Sequence, residues 1–332
     1  MSVHQHDNNM RDDQEFIKGE ISLLVPGNKC RLLDGRRTPG YIENYFEESG
    51  MFRWRITKYE DEDKYWDLPA EDITKFQFAK DSERLSHKKL IEIKSTIDKY
   101  NSYITIKAQN KDRAKTEILI EDTKKHIKSW LINNSTFLKN HSELNFDRKE
   151  GYPELYEDIK NYMESQNILK QEQLTTENMV LNPFSGEWIK GLRIMLGELG
   201  IVSYYGKEIR TNNIFKGEGK RVIRRKYLIN RLAFIRAYFE LLDINEIVLY
   251  RGMSTEKNWI KKDRTFLSCT FNQEVAEDFC CLKRDSKYKN CYLLKMTYPI
   301  SNLFMSFFET EAMNNQYEEA EALILYSEPI KI

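Results

Sequence analysis

The sequence predicts an α+β protein in three parts: a small N-terminal β-barrel, a helical middle region, and a C-terminal antiparallel β-core with flanking helices. Three observations carry this. Between Ser22 and Phe78, short alternating runs are punctuated by turn residues. Over residues 81–170, apolar residues recur at helical spacing among many Lys and Glu. After Asn245, strand-like runs dominate. The expected divisions are a disordered lead over 1–20, the barrel over 21–80, the helices over 81–175 and the core domain over 176–332.

In the first part Gly27, Asp34-Gly35, Pro39-Gly40 and Ser49-Gly50 read as turns. Phe52, Trp54 and Ile56 alternate with Arg53 and Arg55, the period of a half-buried strand. The order of strands, around Lys29–Leu32, then PGYIENYF, MFRWRITKY and KYWDLPAEDI, resembles Tudor and other SH3-like barrels. Helices follow over Ser86–Tyr100 and Lys111–Leu138, and Pro153 starts another, at a position where its missing N–H costs little. Ser185 is a candidate cap for a helix with Trp188, Leu192, Met195 and Leu199 on one face. A basic loop is expected over 207–226, where eight cationic residues face two acidic ones for a local net charge of +6. The next helix carries Leu228, Leu232, Ile235, Phe239 and Leu242 on one stripe. The strands after it read EIVLYRG, RTFLSCTF, NCYLLKMTY and EALILY.

Composition excludes several classes. Lys plus Arg and Asp plus Glu stand at 52 each, so no global charge points to nucleic acid or an anionic membrane. No apolar run approaches a membrane span, and the polar first twenty residues lack the apolar segment of a secretion signal. A cytoplasmic setting is expected, in the producing cell or in a target cell after delivery. Cys30, Cys269, Cys280, Cys281 and Cys291 contain no C-x-x-C pair and are expected to be reduced and mostly buried. No histidine lies beyond His141, so a site in the C-terminal half uses no His base, His–Ser triad or His metal ligand from this chain. No metal is expected.

Three segments hold the candidate chemistry. In IVLYRGM an apolar strand ends in Arg251, whose planar fork suits phosphate oxygens, and Gly252 lets a ligand approach the backbone. In TFLSCTFNQEVAEDF, Ser268 and Thr270 share a strand face. A helix then starts near Asn272, with Ala276 and Phe279 expected on its inner side. In QYEEAEALILY, strand alternation would put the Glu319 and Glu321 carboxylates on one face about 6–7 Å apart. Such a pair suits one carboxylate that stabilises positive charge and one that handles a proton. Singly, each segment also has an ordinary structural reading: a paired arginine, a strand-to-helix junction, a solvated acidic turn.

Together and in this order they resemble the R-S-E class of mono-ADP-ribosyltransferases, which includes actin-modifying toxins and phage enzymes. The family pattern is an aromatic-Arg-Gly strand, a Ser-Thr-Ser strand followed by Ala-x-x-Phe, and a Glu-x-Glu entering an aliphatic strand. Here these read LYRG, LSCTFNQEVAEDF and EAEALIL, within residues 180–330, with Cys269 departing from the middle of the second motif. The resemblance implies an ADP-ribosyltransferase fold over the C-terminal domain and NAD as the substrate consumed. It gives Arg251 the pyrophosphate, the Gly252 backbone the nicotinamide amide, and Ser268 the orientation of Glu321, with Thr270 beside it. Phe279 would stack on the nicotinamide, and Lys283 or Arg284 would make a second phosphate contact. Glu321 would bind the ribose and stabilise the transition state; Glu319 would act on the acceptor. The family pairs Glu-x-Glu with arginine acceptors, so a protein arginine is favoured. A nucleic-acid acceptor, met through the basic loop or the barrel, stays open, as do plain NAD hydrolysis and a non-catalytic adaptor. An inhibitor or antitoxin partner is a further expectation of the resemblance.

Overall fold

The computed structural model of the chain describes residues 15–33, 37–57, 65–181, 186–210, 212–255, 265–281, 290–315 and 319–326. The chain divides into two compact units, residues 1–103 with 207–211 and residues 104–206 with 212–332.

The first unit is built on an antiparallel sheet of β1 (Phe16–Lys18), β2 (Lys29–Leu32), β3 (Pro39–Phe46), β4 (Met51–Ile56), β5 (Tyr65–Pro69) and β6 (Phe76–Ala79), in the order β1-β6-β2-β3-β4-β5. The expected barrel is not closed: among the described residues nothing pairs β5 with β1. The three-residue β1 is filled by β6, and β5 leaves Tyr65 and Trp66 exposed at the other edge. The expected disordered lead is also corrected, since β1 falls within it; residues 1–14 lie outside the described residues. The alternation in β4 places Phe52 and Trp54 in the core, and Trp54 meets Phe76 edge-on at 5.0 Å. Pro39-Gly40 is not a turn but the start of β3. Gly40 is needed there because a Cβ would lie 2.2 Å from the Trp54 indole nitrogen. Helix α1 (His87–Asn101), capped by Ser86, adds Ile93 and Ile97 to the same core.

After α1 the elements run β7 (Tyr103–Ile106), α2 (Asn110–Asn134), α3 (Thr136–Asn140), α4 (Pro153–Ser165), α5 (Leu169–Leu181), α6 (Glu187–Glu198) and β8 (Tyr204–Lys207), all in the second unit but for Tyr103 and Lys207. They continue with α7 (Arg221–Leu241), β9 (Glu246–Thr255), β10 (Phe266–Thr270), α8 (Gln273–Cys281), β11 (Asn290–Pro299), β12 (Leu303–Ser306), α9 (Ala312–Asn315) and β13 (Glu321–Leu325). β7 and β8 pair separately; the other five strands form one antiparallel sheet ordered β11-β9-β10-β13-β12. The fold class is therefore α+β on antiparallel sheets, as the strand runs predicted.

The middle helices do not form a region of their own. α1 belongs to the first unit, and α2 packs along α7 in the second. Ile120, Ile127 and Leu131 of α2 share one core with Leu228, Leu232 and Phe239 of α7 and with Phe304 and Ile324 of the sheet. An amphipathic helix must bury its stripe, and α7 presents buried apolar residues from Tyr227 to Phe239 for it to pack on. The long helix expected through Leu138 breaks at Ser135. The buried Asp158 carboxylate accepts from the Ser135 hydroxyl and from the Thr136 and Phe137 N–H groups, so it caps a new helix. The cap of α6 is Gly186; Ser185 lies outside the described residues.

The segment 207–226 is not one basic loop. Residues 207–211 belong to the first unit, where buried Arg210 donates to the Gly50 carbonyl at 3.2 Å and pairs with Glu71. Residues 221–226 are the first turns of α7. There Arg224 is fully buried, donating to the carbonyls of Gly219, Trp188 and Ile214 with its guanidinium 3.8 Å from the Trp188 ring centroid. Among the described residues, no helix is long and apolar enough to cross a membrane.

Candidate functional site

The five-stranded sheet changes character at its centre. β9 runs with β11 over ten register pairs and β10 with β13 over five, but β9 and β10 meet only at Tyr250 and Thr270. The sheet splits beyond that point. Main-chain groups at the split lack the usual ladder partners and need others. Arg251, next after Tyr250 on β9, supplies one: its guanidinium donates to the main-chain carbonyl of Ser268 on β10. The arginine thus spans the split by its side chain.

On β10, Ser268 and Thr270 share a face while Cys269 turns into the core. The Ser268 hydroxyl donates to Oε1 of Glu321 on β13 at 2.6 Å. The Thr270 hydroxyl donates to the Glu319 carbonyl at 2.6 Å and accepts from the Asn272 N–H, tying strand to helix. Asn272 caps α8, its Oδ1 accepting from the Glu274 N–H at 2.8 Å.

Glu321 is the first residue of β13, opposite Thr270, and its carbonyl accepts from the Phe307 N–H at 2.8 Å. Glu319 lies outside the strand. Ala320 between them has φ +44°, a left-handed conformation, so the alternation argument for the two carboxylates does not apply as expected. A non-glycine residue held there is locally strained, and such strain clusters at functional sites. Burial pushes the Glu321 carboxyl above the ordinary carboxylate range. The Ser268 hydrogen bond opposes this, the Glu319 charge adds to it, and the Arg251 charge opposes it. Burial raises Glu319 as well.

Gly252 is required by close approach. A Cβ there would lie 1.6 Å from the Ala276 carbonyl and 3.1 Å from Cys280 Sγ, because α8 packs directly on β9. Ala276 is the inward residue of that helix. Phe279, expected beside it, is instead 42% exposed near the helix end. Lys283 and Arg284 lie outside the described residues. Gly252→Ala is expected to lift α8 from the sheet and destabilise the protein by about 1–3 kcal/mol. An unchanged urea midpoint would show that α8 can yield.

The structure therefore brings together Arg251, Ser268, Thr270, Glu319 and Glu321 around one sheet split, with Gly252 beneath α8. Sequence reasoning missed the Arg251 bond to a carbonyl, the Ala320 conformation and the Phe307 N–H that holds Glu321. None has a sequence signal of its own. Of the cysteines, Cys30 and Cys269 are buried as expected, but Cys280 is half-buried and Cys291 exposed. Among the described residues, no group of three or more His, Cys, Asp or Glu is placed to hold a metal. Comparison with protein-family models, curated proteins and solved structures finds no match to this chain.

Proposed function

We propose that the protein is an NAD-consuming mono-ADP-ribosyltransferase with Glu321 at its catalytic centre. The observation that carries this reading is the Ser268–Glu321 hydrogen bond, 2.6 Å long, beside a sheet split spanned by Arg251. A carboxylate whose orientation is fixed before substrate arrives is a preorganised charge, and it acts on the positive charge of an oxocarbenium-like state. In NAD the bond from ribose C1′ to the cationic nicotinamide nitrogen breaks with both electrons going to nicotinamide, which leaves neutral. Positive charge develops on the ribose, where Glu321 opposes it. An acceptor lone pair then forms the new bond to C1′, and its proton must leave.

Glu319 suits that last task. It is a half-buried carboxylate, outside the strand, raised toward a pKa at which it can take a proton. A guanidinium stays protonated in water, so an arginine acceptor needs such a partner. Arg251 offers a fork for the NAD phosphates once it exchanges the Ser268 carbonyl for them. Exposed Phe279 offers an apolar ring face on the helix over Gly252. The acceptor favoured is a protein arginine. The case for a nucleic acid is weaker than the composition of 207–226 suggested, because Arg210 and Arg224 are buried in internal contacts.

The test is nicotinamide release from NAD by the purified protein, followed by labelled NAD with cell lysate and digestion by protease or nuclease. Release with a protease-sensitive label supports the proposal. No release removes it, and a label lost only to nuclease moves the acceptor to nucleic acid. Glu319→Gln is expected to keep nicotinamide release and lower transfer to the macromolecule by about 10²–10⁴-fold, the range of general-base catalysis. If both activities fall together, Glu319 serves bond cleavage itself.

A further inference from the structure

We propose that Cys280 and Cys291 form a site of oxidative modification, a dithiol converted to an intramolecular disulfide by a low-molecular-weight disulfide such as oxidised glutathione. Cys280 stands in the last turn of α8, and Cys291 is the second residue of β11. Their backbones are interlocked. The Cys280 thiol donates to the Tyr292 carbonyl at 3.0 Å, and the Cys291 thiol donates to the Cys280 carbonyl at 3.2 Å. Ser254 on β9 fastens the arrangement: its hydroxyl donates to the Cys280 carbonyl at 2.7 Å and lies 3.7 Å from Cys291 Sγ. Cys291 Sγ thus lies against the main chain of Cys280, and Cys280 Sγ against that of Tyr292, the residue after Cys291, which puts the two side chains at one end of the α8–β11 contact.

The two thiols differ in access, which sets an order of events. Cys291 is exposed and Cys280 half-buried. The Cys291 thiolate attacks one sulfur of oxidised glutathione, forming a mixed disulfide and expelling one glutathione thiolate. The Cys280 thiolate then attacks the Cys291 sulfur and expels the second glutathione. The two protein thiols lose two electrons and two protons; the two glutathione sulfurs gain them. Cys30 and Cys269 stay outside this chemistry, because both are buried and burial pushes the Cys269 thiol up to about 12.

The pair also sits where oxidation would be felt. Cys280 Sγ would lie 3.1 Å from a Cβ placed on Gly252. If the Gly252 main chain holds the nicotinamide amide, as the resemblance behind the proposed function implies, oxidation changes the KM for NAD and dithiothreitol restores it; this consequence rests on that reading, whereas the modification site does not.

The test is to treat the fully reduced protein with oxidised glutathione, alkylate it, digest it without reductant and map the peptides by mass. The expected product is a peptide pair joined through Cys280 and Cys291, about 2 Da lighter than the reduced pair. It should be abolished by dithiothreitol, absent from Cys280→Ser and Cys291→Ser, and present in Cys281→Ser. Glutathione remaining on Cys291 without a cross-link would overturn the proposal, as would a link that disappears in Cys281→Ser and persists in Cys280→Ser. A cross-link in protein that releases no nicotinamide in either redox state leaves the modification site standing and removes the proposed function. Unchanged KM in an active, cross-linked protein removes only the coupling to Gly252.

Discussion

Glu321→Gln is expected to lower nicotinamide release from NAD by about two to three orders of magnitude while leaving the fold in place. The substitution keeps the shape and an oxygen for the Ser268 hydroxyl, so the 2.6 Å contact and the β10–β13 register can persist. What it removes is the charge opposite the developing cation. The pH profile gives a second readout. Bond cleavage needs the ionised carboxylate, and burial raises its pKa. As pH falls through that raised value Glu321 takes up a proton and activity is lost, so the acid limb of kcat/KM should lie above the ordinary glutamate range. In Glu321→Gln any residual activity should lose that limb. Circular dichroism with the same urea midpoint as the parent checks the fold, and a folded variant with near-parental release would refute the assignment of Glu321.

The parts of this arrangement that were legible in the sequence are those set by local rules. Phe52 and Trp54 alternate with Arg53 and Arg55, and the strand forms with the aromatics inward. Ser86 and Pro153 mark helix starts because cap and N1 chemistry is local. The order Arg251, Ser268, Glu321 was readable as a motif string, but its meaning depends on register. Pairing of Thr270 with Glu321 is a non-local fact that no spacing reveals. The failures share one cause, tertiary contact overriding local pattern. Arg224 reads as part of a charged loop, yet three carbonyls and the Trp188 ring draw it into the interior. The alternation of Glu319 and Glu321 fails because Ala320 leaves the extended region. The open edge at β5 shows that strand count alone does not specify closure, which needs matching strand lengths and stagger.

A larger stability effect is expected at Arg231, which belongs to none of the three motif segments. Arg231 lies in α7 with no exposed surface. Its guanidinium donates to Glu172 at 2.6 Å, to Glu309 at 2.6 Å and to the Thr310 hydroxyl at 2.9 Å. Two buried carboxylates share one cation, and further donors complete the set: Tyr227 to Glu172 at 2.9 Å, and the Ser306 N–H to Glu309 at 2.7 Å. Replacing such a cation strands both carboxylates, so Arg231→Met is expected to cost about 3–5 kcal/mol. Glu309→Gln should cost much less, about 1 kcal/mol, since it leaves a neutral Arg231–Glu172 pair and an oxygen for the Ser306 N–H. Burial already raises the Glu309 carboxyl against the opposing pull of Arg231, and loss of Arg231 raises it further. The sign of the linkage follows. Between the unfolded and the raised folded pKa the native state binds more protons than the unfolded state, so stability falls as pH rises through this window. Arg231→Met should therefore recover stability, relative to the parent, when the pH is lowered toward the raised folded pKa of the stranded Glu309 carboxyl. The effect should reach the candidate site, because Glu309 holds Ser306, and the next residue, Phe307, donates its N–H to the Glu321 carbonyl. Urea unfolding at several pH values checks the stability, with equal slopes required for a fair comparison. A loss below about 1 kcal/mol for Arg231→Met, or a deficit that grows as pH falls, would show that the carboxylates do not depend on this cation.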